Sequence, residues 1–349
     1  MKEKHLKIFA GVFVFLLILF FVTKPRQRGV NVDELVQTLL IGFVQDDVRT
    51  IEVYKQTSGE PAQMVFRKDQ DGHWRIMTHH GARAQKSRVD QLLNNLIEMT
   101  GNVRSSDSRH LETYGITDHQ GVQLLLKGEG DKTLANLIVG KSSEDPNSGF
   151  VRFEGKDKVY AVDRNILSSL GVYGGLDTLS RFNHSSFVSL QAVDQKADTL
   201  EWIGMVVNRK EMVIKKVETE VVVDDSTGET RKDSEWVLMQ GSREISLDQK
   251  AVEDFLRDVT QIRALKVADR IGGGLTDMEK SSQYGFDRPS HYLVYKRPEA
   301  PQENVLFGRV NEDESRMMLV QYEGLVYHVG KSVFERAFKW MDELPQKTR

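Results

Sequence analysis

Gly140-Lys141-Ser142 is the tripeptide that ends a phosphate-binding P-loop, where backbone N–H groups and a lysine cradle nucleotide phosphates. The first glycine of that motif would fall where Ala135 stands, and Leu137, Ile138 and Val139 read as a strand entering a turn, so the spacing argues against nucleotide binding. Gly272-Gly273-Gly274 is not a dinucleotide-binding GxGxxG and lacks a strand-to-helix context; it reads as a loop. Among the nine histidines, His79 and His80 are adjacent, and neighbours on a strand point to opposite faces, so they do not converge on one metal. No HExxH or His-x-x-x-His spacing exists, and the pair reads as a surface turn. His328 reads as a satisfied residue on a strand face. Asp46-Asp47, Asp224-Asp225 and Glu312-Asp313-Glu314 sit in polar stretches. Catalytic carboxylates must instead be held in a cleft with shifted pKa values. No Gly-x-Ser-x-Gly elbow is present, and the sequon-like Asn183-His184-Ser185 reads as chance. The expectation is therefore no catalytic, cofactor-binding or metal-binding residue, and no cofactor.

Composition narrows the class further. The chain has 349 residues, 48 Lys and Arg against 51 Asp and Glu, and a net charge of −3, a balance that argues against a nucleic-acid partner. Zero cysteines exclude disulfides, thiolate metal sites, cysteine nucleophiles and a lipoprotein anchor. A hydrophobic content of 39% is enough for packed cores.

The N-terminus differs from the rest. Ile8 to Val22 is uninterruptedly apolar, preceded by Lys2, Lys4 and Lys7 and followed by Lys24, Arg26 and Arg28. Phe20 to Pro25 offers no small-x-small cleavage site, and a core helix would not be apolar all round between lysines. The expectation is an uncleaved signal anchor in residues 1–28, spanning about 7–23, short for a hydrocarbon core of about 30 Å but extended by lysines that reach to the interface. The two flanks carry equal positive charge, so the positive-inside rule leaves the orientation open.

The remainder repeats itself. Trp74 in DGHWRIM recurs as Trp236 in DSEWVLM, each starting a short alternating strand. A helix follows each, with Val89, Leu92, Leu93 and Leu96 on one face in the first and Val252, Phe255, Leu256 and Val259 in the second. Ser87 is the nearest cap in the first, Ser246 or Asp248 in the second. Tyr114-Gly115-Ile116 recurs as Tyr284-Gly285-Phe286, VQLLL at 122–126 as HYLVY at 291–295, and LIVG at 137–140 as VLFG at 305–308. A hairpin at 150–162 recurs at 318–329, turning at Gly155 and Gly324, with Asp163 and Ser332 placed to cap a closing helix. Upstream, Ile51-Glu52-Val53 aligns with Leu200-Glu201-Trp202, and Met64 to Lys68 with Met212 to Lys216. The second copy carries an insertion at 217–235 that reads as an extended hairpin around Asp225 to Gly228. Gly115 and Gly285 are expected at positive φ, Tyr114 and Tyr284 to pack a ring and hydrogen-bond through the hydroxyl, and Trp74 and Trp236 to cover the helix–sheet seam.

The expected fold class is α+β: two tandem duplicated domains, each a mainly antiparallel sheet with a helix packed on one face, behind an N-terminal transmembrane helix. Each copy reads β-β-β-α-β-β-β-β with a closing helix. The boundaries are the anchor at 1–28, a juxtamembrane segment at 29–45, the first repeat at 46–170, a linker at 171–199 and the second repeat at 200–349.

At these motifs the sequence resembles a bacterial family, the domain of unknown function numbered 4340. Tyr284-Gly285-Phe286-Asp287-Arg288-Pro289 resembles its Tyr-Gly-Leu-Asp-x-Pro turn, with Phe for Leu; the first copy departs from it at Ile116, Thr117 and His119. Val139-Gly140 and Val159-Tyr160-Ala161-Val162 are similar to its later motifs, and the resemblance covers about residues 35–345. It implies a protein anchored in the cytoplasmic membrane with its bulk extracytoplasmic or periplasmic, and a role beside ABC-type exporters or gliding-motility-like envelope complexes. It carries over no catalytic residues. The expected function is a non-enzymatic accessory protein docking on such a complex, with the membrane and envelope proteins as partners. The alternative is an envelope hydrolase or a glycan- or lipid-binding module using the groove between the repeats.

Overall fold

The computed structural model describes residues 36–224, 229–272 and 275–344. The expected anchor, the tip of the 217–235 hairpin at 225–228 and Gly273-Gly274 lie outside the described residues. Among the described residues no helix is long and apolar enough to cross a membrane.

Short 3-10 turns aside, the N-terminal half runs β1 (Gln37–Thr38), β2 (Thr50–Lys55), β3 (Ala62–Lys68), β4 (Trp74–Ile76), β5 (Ala82–Arg83), α1 (Lys86–Ile97), β6 (Thr100–Ser105), β7 (Val122–Lys127), β8 (Thr133–Ser142), β9 (Gly149–Phe153), β10 (Val159–Val162) and α2 (Ile166–Ser169). A connecting segment contributes β11 (Gln191–Asp194). The C-terminal half runs β12 (Trp202–Val207), β13 (Lys210–Asp224), β14 (Glu229–Gln240), β15 (Arg243–Ser246), α3 (Gln249–Thr260), β16 (Gln261–Arg263), β17 (Lys266–Arg270), α4 (Leu275–Tyr284), β18 (His291–Lys296), β19 (Glu303–Val310), β20 (Arg316–Val320), β21 (Leu325–Val329), α5 (Lys331–Phe338) and α6 (Trp340–Glu343).

The architecture is mixed α+β with two large, antiparallel sheets. The first has the order β1-β6-β10-β9-β8-β7-β2-β3-β4-β5, and the second, taken from its far end, β17-β21-β20-β19-β18-β12-β13-β14-β15. Apart from β1, the two orders correspond strand for strand. Lys68 faces Trp74 across β3 and β4, as Lys216 faces Trp236 across β13 and β14. In both halves a strand that follows the helix, β6 or β17, lies beside the last hairpin strand. These strands, β6 and β17, are missing from the sequence expectation. TGNVRS is largely exposed and has no apolar alternation to mark it.

The helices bury the faces their spacing predicts: Val89, Leu92, Leu93 and Leu96 in α1, and Val252, Phe255 and Val259 in α3, with Leu256 partly buried against the same core. Asp248 caps α3, accepting a hydrogen bond from the Ala251 N–H at 2.9 Å. The other expected caps are corrected. Ser87 lies inside α1, whose N-cap Gln85 makes no side-chain cap. Asp163 accepts from the Thr100 N–H, and Asn165 caps α2. Ser332 lies inside α5, which starts after Gly330.

The ladders also move one alignment by three residues. Ile51 faces Phe66 and Leu126; its counterpart is Ile203, which faces Ile214 and Tyr295, rather than Leu200. The cause is loop length: residues 56–61 join β2 to β3, whereas Asn208 and Arg209, both at positive φ, make a two-residue turn between β12 and β13. The 217–235 segment forms the extended hairpin, paired continuously from Val217 opposite Glu235 to Val222 opposite Thr230.

Each half also has a small second core on the sheet face away from its helix. Ile116, Ile138 and Val159 form it in the first, with Tyr114 and Phe150 alongside; Phe286, Met317, Leu319 and Val326 form it in the second, with Tyr284 and Leu306. Gly115 and Gly285 take φ values of 64° and 78°, as the turns require. The segment between the halves is not a loose tether. Val172, Leu176, Phe182, Phe187 and Val188 are buried in the main core. It hydrogen-bonds β5 through Ser189 and then pairs β11 with β16.

Candidate functional site

Gly140, the glycine of the P-loop-like tripeptide, has a steric task. A Cβ there would lie 2.4 Å from the Tyr114 carbonyl oxygen and 2.1 Å from Ile116. At Gly308 it would lie 2.0 Å from the Tyr284 carbonyl. The Tyr-Gly turn therefore folds back over the bare glycine of the neighbouring strand, and the Lys141 N–H donates to the Tyr114 carbonyl at 3.1 Å. The backbone here is filled by protein rather than open to a phosphate.

His79 and His80 leave β4 in a turn, with His80 at φ 56°. Their rings meet edge-on at 5.1 Å, and His79 stacks on His184 at 5.5 Å. Burial lowers the pKa of both His79 and His184, and neighbouring imidazoles lower His79 further. Among the described residues no group of three or more His, Asp or Glu is placed to hold a metal. Asn183 turns its side chain to the Ser185 N–H. Asp46, Asp47, Glu312, Asp313 and Glu314 are exposed.

Among the open clefts of the described surface are three with volumes of 730, 850 and 610 Å³. The smallest is the one that draws on both halves, bounded by Arg67, Lys68, Arg75 and His80 on one side and Arg270, Tyr322 and Glu323 on the other.

Its floor follows from strand register. Arg67, Arg75 and Arg83 face one another across β3, β4 and β5. Their neighbours Phe66, Trp74, Ile76 and Ala82 are buried on the opposite, helix-bearing face. Like charges directly opposite on a sheet repel, so such a row needs counter-charge. Asp69 supplies part of it, 2.9 Å from the Arg75 Nε. Glu323 supplies the rest from the turn between β20 and β21: it pairs with Arg83 and lies 3.7 Å from the Arg75 Nη1. Its side chain is only 3% exposed. Both Glu323 oxygens, Arg75 Nη1 and Arg83 Nε are buried without an aligned hydrogen bond, so this contact is ionic rather than directional.

A second tie lies beside it. Arg270 donates from Nε to the His80 carbonyl at 2.7 Å and from Nη2 to the Gly81 carbonyl at 3.3 Å. Asp269 gathers Lys280 at 2.9 Å, the Tyr284 hydroxyl at 2.9 Å and the His80 ring at 3.6 Å. The Tyr284 hydroxyl thus bonds as expected; Tyr114 instead packs its ring on Phe150, with centroids 4.6 Å apart.

The electrostatics describe ion pairing. Burial would raise the Asp69 and Asp269 pKa values, but Arg75 and the His73 N–H hold Asp69 below the usual range, and Lys280, the Arg270 N–H and Tyr284 do so for Asp269. Burial and the nearby Glu323 charge push Tyr322 up to about 12, and Tyr327 is raised by the same two causes. Asp69 and Asp269 are thus kept ionised and the two phenols kept protonated, the state of a structural charge network rather than of a proton donor poised near neutrality.

None of Arg67, Arg75, Arg83, Arg270 and Glu323 was marked by sequence reasoning. The signal present was the repeated spacing of eight from Arg67 to Arg75 to Arg83, each in the polar phase of its strand. It becomes informative only when both hairpin registers are known.

Fold and junction together define the class: an α+β protein of two large antiparallel sheets, joined by a buried segment and a buried ion-pair network. Residues 74–201 match the family DUF4340, a domain of unknown function. That match runs from the β4 tryptophan through the first sheet and the buried connecting segment, and covers less than half the chain. No curated protein and no solved structure matches.

Proposed function

We propose that this chain is a non-enzymatic accessory protein, anchored in the cytoplasmic membrane by residues 7–23, with two tandem copies of one α+β domain outside it. It would dock on an envelope complex such as an ABC-type exporter. The matching strand orders, the shared Lys–Trp facing pairs and the two second cores support reading the halves as copies.

The observation that carries docking is the ribbon of β13 and β14. The β12 pairing ends at Lys215, with one more bond from Lys216 to Glu201, and the pairing of β14 with β15 begins only at Val237. Beyond them, 217–224 and 229–236 pair only with each other among the described strands. No third strand pairs with either edge of the ribbon among the described residues, an arrangement that suits strand addition by a partner. The junction network supports the same reading, because it holds the halves together as one platform for the ribbon.

The test replaces 218–234 by Asn-Gly in the full chain. Proteins cross-linked to wild type in detergent-solubilised membranes should be lost from this variant while its melting temperature stays unchanged. Retention of the same cross-links would sink the ribbon as the docking element. A mature start near residue 25 by intact mass, or a cytoplasmic reporter after Arg349, would overturn the anchored, extracytoplasmic reading.

A further inference from the structure

We propose that the cleft between the two halves is a binding site for a phosphate group, held jointly by Arg67 of the first half and Arg270 of the second. This goes beyond docking and does not depend on it. The cleft is lined by the guanidinium groups of Arg67, Arg75 and Arg270, with Arg83 beneath them, four cations against two carboxylates, Asp69 and Glu323. Both carboxylates are already engaged, Asp69 by Arg75 and Glu323 by Arg75 and by Arg83 beneath it. Arg67 and Arg270 make no ion pair among the described residues. Arg270 is fixed by two carbonyls, which orient its guanidinium without neutralising it. Lys68 takes no part: it faces Trp74 in the ladder, with its Nζ 5.3 Å from that ring on the other sheet face. Arg67 is exposed at the free end of the arginine row.

The excess of two positive charges matches a dianion. Guanidinium forks suit the tetrahedral oxygens of phosphate and add charge-assisted hydrogen bonds. The cleft volume of 610 Å³ is ample for a phosphate with a small organic group. Met77 and Tyr322, 47% and 39% exposed, give that group an apolar wall. Because the cations come from both halves, the ligand would bridge them and stabilise the folded chain by mass action.

The experiment uses the full chain in neutral detergent. Inorganic phosphate and glycerol phosphate are titrated at constant ionic strength, with chloride as the control, and binding is followed by calorimetry and thermal shift. Phosphatidylcholine vesicles with and without phosphatidic acid form the second arm. Saturable binding of the soluble phosphates identifies a soluble ligand; binding only to phosphatidic acid vesicles identifies a lipid headgroup. Either supports the site, provided Arg67→Gln weakens it about ten-fold, as expected for loss of one charge-assisted contact. Arg67 is exposed and unpaired, so its variant should melt like wild type. No saturable response in either arm, or wild-type affinity in Arg67→Gln, overturns the proposal.

Discussion

Gly308→Ala tests the central packing idea, that the Tyr-Gly turn and the glycine of the second strand after it are one device. The new Cβ would meet the Tyr284 carbonyl oxygen at 2.0 Å and the Phe286 ring at 2.9 Å. Contact between such atoms normally lies above about 3.0 Å, so relief requires a backbone shift of roughly 1 Å. The carbonyl cannot swing aside like a flexible side chain. The turn around it is pinned by the φ of 78° at Gly285, by Phe286, which is buried in the second core, and by the Tyr284 hydroxyl bond to Asp269. Overpacking costs about 1–3 kcal/mol, and the upper end is expected here because backbone must move. At roughly 2–4 °C per kcal/mol, the melting temperature should fall by about 6–12 °C. Gly140→Ala should behave alike, and Gly59→Ala, whose Cβ would meet open space, should melt like wild type. Differential scanning calorimetry of the three full-length variants provides the measurement. If Gly308→Ala and Gly59→Ala melt together, the turn does not rest on the strand and the reasoning fails.

Gly285→Val adds a β-branched residue at positive φ, and should cost about 1–3 kcal/mol; Gly59→Val is the matched control in the same melts, and equal losses would remove strain as the cause. Glu323→Gln leaves Arg75 and Arg83 facing each other without their buried counter-charge, and should destabilise by about 3 kcal/mol in denaturant titration; a loss below about 1 kcal/mol would show that the junction does not depend on that charge. Acid should weaken the fold well above the carboxylate range. Burial lowers the pKa of His79, His184, His291 and His328, so the native state resists their protonation while the unfolded chain accepts it near pH 6.5. Their contribution is complete above that pH and is lost as pH falls through the lower native values. Melting temperature should therefore drop between pH 7.5 and 5.5, and His79→Gln with His184→Gln should flatten the drop; an unchanged slope would exonerate that pair.

Local chemistry was legible in the sequence wherever a residue's neighbours along the chain decide its fate. The apolar spacing of Val89, Leu92, Leu93 and Leu96 specified the buried face of α1, because a helix returns those positions to one side. The Tyr-Gly turns specified their positive φ, and the polar centre of 217–235 between Val-rich arms specified a hairpin. The β6 and β17 strands were not legible, since they are held by distant partners, β10 and β21, and carry little apolar signal of their own. The alignment of Ile51 with Leu200 failed for a related reason. Where a loop shortens between two strands is invisible in the strands, and only the ladder counts the residues. The cleft at the junction depends on tertiary structure most of all. Arg67, Arg75 and Arg83 become a row only after two hairpin registers are set, and Glu323 reaches them only when the second sheet docks on the first. Electrostatic energy depends on distance in space and on burial, and neither quantity exists until the chain has closed on itself.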